Sequence, residues 1–210
     1  WNCRMNHDNT ALIIIDVQRG FEDESFWGAA ANADADANIA ALVAAWTDQA
    51  RGPLVLVRHD SPKPASPLHP SSPGNRFKDY LSSLTPDLLV TKSVNSAFLG
   101  APDLDQWLRE RGITRLVLCG IQTNMCVETT ARMGGNLGYR VVVPLDATST
   151  FGLAADLPSG RVQLSGADLM RATAVNLQAG GFAQVTSTSA LLATEPGPRS
   201  RPLPARRAGP

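Results

Sequence analysis

Asp16, Lys92 and Cys126 are an acid, an ammonium and a thiol, each standing at or just beyond the end of a short apolar run. A group that takes a proton, a cation that steadies charge and a sulfur that attacks carbon are the parts of a nucleophilic site. A free thiol is mostly protonated at neutral pH, with a pKa of about 8.5. The unpaired amides at a helix start and a nearby ammonium both favour its thiolate. Thr123 is a candidate N-cap, which sets Cys126 at the third helical position and predicts a lowered thiol pKa. Asp16 then takes the thiol proton and returns it to a leaving amine. Lys92 keeps Asp16 ionised, and backbone amides near Gln122 and Cys126 face a substrate oxyanion. Taken singly, each residue also has a plainer reading. An acid at a strand end favours a turn, a lysine is solvated, and a cysteine packs as a small hydrophobe, which is the reading for Cys119.

What joins the three is the order of elements that must carry them. Residues 11–15 (Ala-Leu-Ile-Ile-Ile) predict a buried strand that ends at Asp16. Residues 34–50 place Ile39, Leu42, Val43 and Trp46 at helical spacing, and Leu54–Val57 predicts a second strand ending in Arg58, His59 and Asp60. Residues 58–75 are crowded with Pro and Ser and predict a long loop of the kind that is often functional. Further strands are expected at residues 88–91, 115–119, 139–143 and 182–185. Helices are expected at 104–110, at 123–134 (ending in Gly134-Gly135) and at 166–179. Strands alternating with helices predict an α/β fold, a three-layer αβα sandwich on a mostly parallel six-stranded, Rossmann-like sheet. Ligands of such sheets sit beyond the carboxyl ends of the strands, where Asp16, Lys92 and the segment leading to Cys126 all fall.

The chain has 210 residues, 43% of them hydrophobic and 18% charged, which suits one soluble domain. Residues 1–8 are expected to be an N-terminal extension, 9–194 the folded domain, and 195–210 a disordered tail rich in Pro and Arg. Nineteen basic and nineteen acidic residues cancel, and with Arg199, Arg201, Arg206 and Arg207 all in the tail the rest is net acidic. That balance argues against a nucleic-acid partner. The apolar runs are too short to span a membrane, and no secretory signal is recognised. Three cysteines without a Cys-x-x-Cys pair argue against a disulfide framework and suggest a cytoplasmic protein. The Gly134–Gly138 segment follows a helix and so resembles a C-cap and turn, not a dinucleotide loop.

With these residues in view, the chain resembles the isochorismatase-like cysteine hydrolases, the superfamily of nicotinamidases and N-carbamoylsarcosine amidohydrolases. The resemblance spans about residues 10–192. It rests on Ala-Leu-Ile-Ile-Ile-Asp-Val-Gln-Arg-Gly-Phe at 11–21, Lys-Ser-Val-Asn-Ser-Ala-Phe at 92–98, and Gly-Ile-Gln-Thr-Asn-Met-Cys-Val-Glu-Thr-Thr-Ala-Arg at 120–132, with Asp146-Ala147 further on. It implies a catalytic triad of Asp16, Lys92 and Cys126, a cis peptide between Ile121 and Gln122, and backbone amides of Gln122 and Cys126 as the oxyanion hole. The implied reaction is hydrolysis of a C–N bond in a small amide, carbamoyl or lactam compound through a covalent acyl-enzyme, without a cofactor. Homo-oligomeric assembly is also implied.

Some relatives hold a metal on an Asp and two His after the second strand. Here His59, Asp60 and His69 lie in that region without the Asp-x-His spacing, so no metal is expected. Phe21, Phe26, Trp27 and Phe98 are candidate walls of a substrate cavity. Gln18 and Asn95 are candidates to orient Asp16 and Lys92 or to bond substrate, and His59 is a candidate substrate contact. Two alternatives stay open: an isochorismatase-type enol-ether hydrolase with Asp16 as acid, and a catalytically silent binding or assembly subunit.

Overall fold

The computed structural model describes residues 9–193. The extension at 1–8 and the tail at 195–210 lie outside these described residues. The elements run in the order β1 (Thr10–Ile15), α1 (Glu24–Trp27), α2 (Ala35–Gln49), β2 (Leu54–His59), α3 (Asp79–Ser82), β3 (Leu88–Lys92), α4 (Leu104–Glu110) and β4 (Arg115–Ile121). They continue with α5 (Glu128–Asn136), β5 (Arg140–Pro144), β6 (Thr148–Ser149), β7 (Leu153–Leu157), β8 (Gly160–Leu164), α6 (Gly166–Ala179), β9 (Gln184–Thr186) and α7 (Thr188–Leu192). The main sheet has the order β3-β2-β1-β4-β5-β9, with the two-residue β6 paired beside β4. Every pairing along this path is parallel.

Period-two alternation explains the layers. In β1 every residue is buried: Ala11, Ile13 and Ile15 join one core with Leu104, Leu108, Val127, Ala131 and Leu177 from α4, the turn before α5, α5 itself and α6. Leu12 and Ile14 point the other way, onto Ile39, Leu42, Val43 and Trp46 of α2 and Leu191 of α7. A strand covered on both faces needs an unbroken apolar run, and each fully buried Ile or Leu contributes about 1.5–3 kcal/mol relative to exposure. The three-layer sandwich follows from these two cores.

Chain order reverses between β1 and β4, the two central strands. This is the switch point at which open α/β sheets leave a crevice at their carboxyl edge. Gly120 near the end of β4 pairs with Ile15 at the end of β1, at a φ of 126°. A Cβ at Gly120 would lie 2.0 Å from the Ile15 carbonyl oxygen, so the two chains approach as only glycine permits.

Two expectations need correction. The helix expected over residues 123–134 is a π-helical turn at Thr123–Val127 followed by α5, which continues through Gly134 and Gly135 to Asn136. The segment after Asp146, to which the sequence assigned no element before residue 166, contains the antiparallel hairpin β7–β8, paired from Leu153↔Leu164 to Leu157↔Gly160.

Candidate active site

Asp16 follows β1 directly, with a left-handed φ of 54° and its amide bonded to the Val57 carbonyl at 2.9 Å. The departure from β geometry ends the strand and directs the carboxylate over the carboxyl edge of the sheet. Lys92 ends β3 two strands away and reaches across the end of β2, where His59 is its register partner. Its Nζ donates to Asp16 Oδ2 at 2.5 Å, with both side chains wholly buried. The same ammonium lies 3.3 Å from Cys126 Sγ and 3.3 Å from His59 Nδ1. Residues from the ends of β1, β2 and β3 and from the turn after β4 thus meet on one cation.

Cys126 stands in the π-helical turn, not in the first turn of an α-helix. The residue at the N-cap position is Gln122, and Thr123 does not cap: its hydroxyl donates to Thr148 Oγ1 at 2.9 Å. The peptide bond between Ile121 and Gln122 is cis, and Ala101–Pro102 is a second cis bond that sequence reading did not suggest. Gln122 and Cys126 both face a cavity of about 170 Å³, together with Asp16, Phe21, Trp27, His59, Leu68, Asn95 and Met125. An apolar protein cavity of roughly 150 Å³ holds a benzene-sized molecule, so the ligand portion that fits is small.

The walls are aromatic. Phe21 and Trp27 have centroids 5.0 Å apart, and both pack on Phe151 at 5.9 and 5.7 Å. Trp27 is held in place by its indole N–H, which donates to the Gly20 carbonyl at 2.8 Å. Phe26 is exposed and not in this wall, and neither is Phe98. Phe98 is buried in the core on the far side of the sheet's edge, stacked on Tyr139 at 5.8 Å. Its motif position adjoins Ser96 and Ala97, whose short helical turn directs the ring inward.

Gln18 is also a correction. Its amide donates to the carbonyls of His59 and Asn75 and accepts from the His59 amide, tying the end of β1 to β2 and the long loop. It is buried structure, and does not line the cavity. Asn95 does line it, with Oδ1 3.9 Å from Cys126 Sγ. Leu68 and Met125 also line it without having been expected, and Phe151 backs the wall behind Phe21 and Trp27. Met125 lay within a quoted motif, whereas Leu68 sits among prolines without periodicity and gave no signal.

Burial pushes the Asp16 carboxyl above its ordinary value, opposed by Lys92. Burial, with the Asp16 charge adding to it, pushes the Cys126 thiol up to about 12. The expected lowering of this thiol is therefore reversed: the desolvation of a buried sulfur outweighs the neighbouring ammonium. The resting pair is a protonated thiol beside a carboxylate neutralised by Lys92. Asp16 Oδ1 is buried without a hydrogen-bond partner, in a cluster with Cys126 and His59 whose ligand atoms lie within 4.8 Å of one another. His59 is pushed down by burial and by Lys92, so its ring is neutral and offers Nδ1 to the ammonium.

Of the candidate metal set, only His59 reaches the site. Asp60 is held by Arg58 at 2.8 Å and by Asn75 at 3.0 Å, and His69 turns to Ser71 at 2.7 Å. Asp16, His59 and Cys126 could supply three ligands by their spacing, but all three already converge on the Lys92 ammonium, a poor neighbour for a second cation.

A sequence profile of the isochorismatase domain matches residues 10–174. The chain is similar to the uncharacterised isochorismatase family protein YrdC of Bacillus subtilis, with 37% identity over 70% of this chain and 76% of that one. It is 47% identical to the ureidoacrylate amidohydrolase RutB of Stutzerimonas stutzeri over 35% of this chain and 29% of that one. Its fold matches the crystal structure of an isochorismatase-family protein from Chromobacterium violaceum, with a TM-score of 0.81, 32% identity, and coverage of 91% of this chain and 96% of that one.

Proposed function

The chain belongs to the isochorismatase family, and from that premise we propose that it hydrolyses a C–N bond of a small amide, carbamoyl or lactam compound through Asp16, Lys92 and Cys126. The observation that carries this reading is the buried Lys92 ammonium, 2.5 Å from Asp16 Oδ2 and 3.3 Å from Cys126 Sγ, beside a small cavity. The amidohydrolase named among the relatives supports the C–N bond as the one cleaved.

In the proposed reaction the Cys126 sulfur attacks the substrate carbonyl carbon while its proton passes to Asp16. Burial favours this transfer, because a carboxylate raised above its ordinary value is a stronger base. Lys92 neutralises Asp16 before the transfer and the developing thiolate during it. The carbonyl oxygen becomes an oxyanion facing the backbone amides of Gln122 and Cys126. Asp16 then gives its proton to the leaving nitrogen, the C–N bond breaks and a thioester remains. Asp16, again a carboxylate, takes a proton from water as that water attacks the thioester. The acid product leaves and the sulfur regains a proton from Asp16.

A raised Asp16 carboxyl also suits the second reading, in which Asp16 protonates an enol ether and the thiol is not needed. The cavity argues against it for a polyanionic substrate: among its described lining residues there is no Arg or Lys, and Lys92 behind it is already engaged. The test is turnover of a panel of small amides by the protein and by Cys126→Ala, with mass spectrometry of the intact protein during turnover. A covalent adduct on the protein and an inactive variant are expected. Undiminished turnover in Cys126→Ala overturns the proposal and favours the enol-ether reading. A cytoplasmic location and homo-oligomeric assembly belong to the same proposal. Among the described residues, no helix is long and apolar enough to cross a membrane.

A further inference from the structure

At the amino edge of the sheet, opposite the active site, Thr10, Arg115 and Arg140 stand directly across from one another on β1, β4 and β5. Register partners on neighbouring strands present their side chains to the same face. Like charges set directly opposite weaken a strand pair, so this pair is a local cost that the sheet carries. Arg115 is only 7% exposed, yet among the described residues its guanidinium makes no hydrogen bond and no ion pair. Arg140 is exposed and has no carboxylate partner among them either. Beside them the Thr10 hydroxyl is buried without a hydrogen-bond partner. Burial and the Arg140 charge both push the Arg115 guanidinium down from its ordinary value.

A partly desolvated cation without a counter-charge carries a cost that a joining anion offsets. Arg115 and Arg140 line a concavity of about 590 Å³, larger than the catalytic cavity, with Val141 and Phe182 as apolar wall and Gln184 among its polar lining. It opens where β9 begins pairing only at Val142, leaving the start of β5 uncovered on that side. The lining residue tied to an acid is Tyr139, and that acid, Asp105, is already held by Arg109.

We propose that this concavity binds a small oxyanion, a phosphate or carboxylate group held between the Arg115 and Arg140 guanidinium groups. The planar forks of two arginines match the oxygens of either group, and the Val141–Phe182 wall accommodates an apolar remainder. The site lies at the opposite edge of the sheet from Cys126 and is independent of the reaction proposed there.

The test is thermal unfolding and titration calorimetry of the protein with inorganic phosphate and with acetate, each against chloride at the same ionic strength. A saturable rise in Tm with phosphate or acetate, absent with chloride, is expected, and which anion acts identifies the group. Arg140→Gln, a change at an exposed side chain, should weaken binding at least tenfold, and Arg115→Gln should remove it. Equal Tm in all three salts overturns the proposal, as does anion binding that persists undiminished in both variants.

Discussion

Lys92 Nζ and Asp16 Oδ2 are 2.5 Å apart with both side chains fully buried, and the same ammonium touches Cys126 and His59. Breaking one half of a buried pair strands the other, typically at a cost of about 3–5 kcal/mol. Lys92→Met should therefore destabilise the fold by an amount near that range and abolish turnover. Without the cation, burial leaves Asp16 protonated, so it no longer serves as a base. Urea unfolding of the variant at neutral pH checks the first part. A loss of under about 1 kcal/mol, the scale of an exposed pair, would sink it.

Thiol reactivity and turnover should move in opposite directions in Asp16→Asn. The Asp16 charge is one of the influences that hold the Cys126 thiol up, near 12. Removing that charge lowers the thiol pKa and speeds iodoacetamide labelling near neutral pH. Turnover of an amide should fall about 10²–10⁴-fold, the usual contribution of a positioned proton-transfer group. In the unaltered protein, labelling should be slow at pH 7 and keep rising beyond pH 10. Fast labelling with a plateau near pH 8 would show that the sulfur is not governed by burial.

Gly120→Ala tests the close approach of the central strands. Its Cβ would meet the Ile15 carbonyl oxygen at 2.0 Å, at a φ of 126° that side chains disfavour. The three nearest atoms, the Ile15 O, C and N, are all backbone, so relief requires separating β1 from β4 at the point where Asp16 leaves. A loss above about 3 kcal/mol is expected, in the range that marks a specific structural lesion. Gly112→Ala, at a φ of 65° with open space around it, is the control and should cost far less.

The positions of Asp16 and Cys126 were readable because β1 and β4, buried on both faces, leave unbroken apolar runs, and Lys92 because it closes the short apolar run of the edge strand β3. Which way burial shifts the thiol was not readable. The pKa near 12 depends on how much surrounding chain desolvates the sulfur, a tertiary quantity that no local spacing encodes. Phe98 and Trp27 illustrate the same limit. Both are aromatic residues just after a motif, yet one stacks in the core on Tyr139 and the other lines the cavity. The hairpin of β7 and β8 did carry a signal that went unused: Arg161-Val162-Gln163-Leu164 alternates with period two after the Pro158-Ser159 turn and Gly160. Its residues are exposed on both faces, so no apolar run announced it.

The aromatic wall should govern substrate binding more than chemistry. Trp27 packs on Phe21 and Phe151, and aromatic pairs contribute about 0.5–1.5 kcal/mol each beyond their buried area. Trp27→Ala removes these two pairs and the edge contact with Phe26 at 4.7 Å, and opens one side of the cavity. KM for a flat amide should rise about tenfold while kcat changes little, since no reacting atom is moved. An equal loss in kcat with KM unchanged would place the indole in the transition state and contradict its role as a wall.

His59 sets an acid limit on both stability and activity. Its pKa is depressed by burial and by the adjoining Lys92 ammonium, to which its neutral Nδ1 offers a lone pair. A group whose folded pKa lies below its unfolded value of 6.5 contributes stability that is complete above 6.5 and lost as pH falls through the folded value. Below that point an imidazolium would face Lys92 at 3.3 Å, and repulsion would displace the ammonium from Asp16. Unfolding free energy should therefore decline as pH drops below 6.5, and turnover should fall only at lower pH, once the folded imidazole itself takes a proton. In His59→Gln, whose amide oxygen can still accept from Lys92 but takes no proton, the decline should be shallower. Identical slopes in the two proteins between pH 6.5 and 5, measured by urea unfolding, would show that the imidazole does not couple protons to the fold.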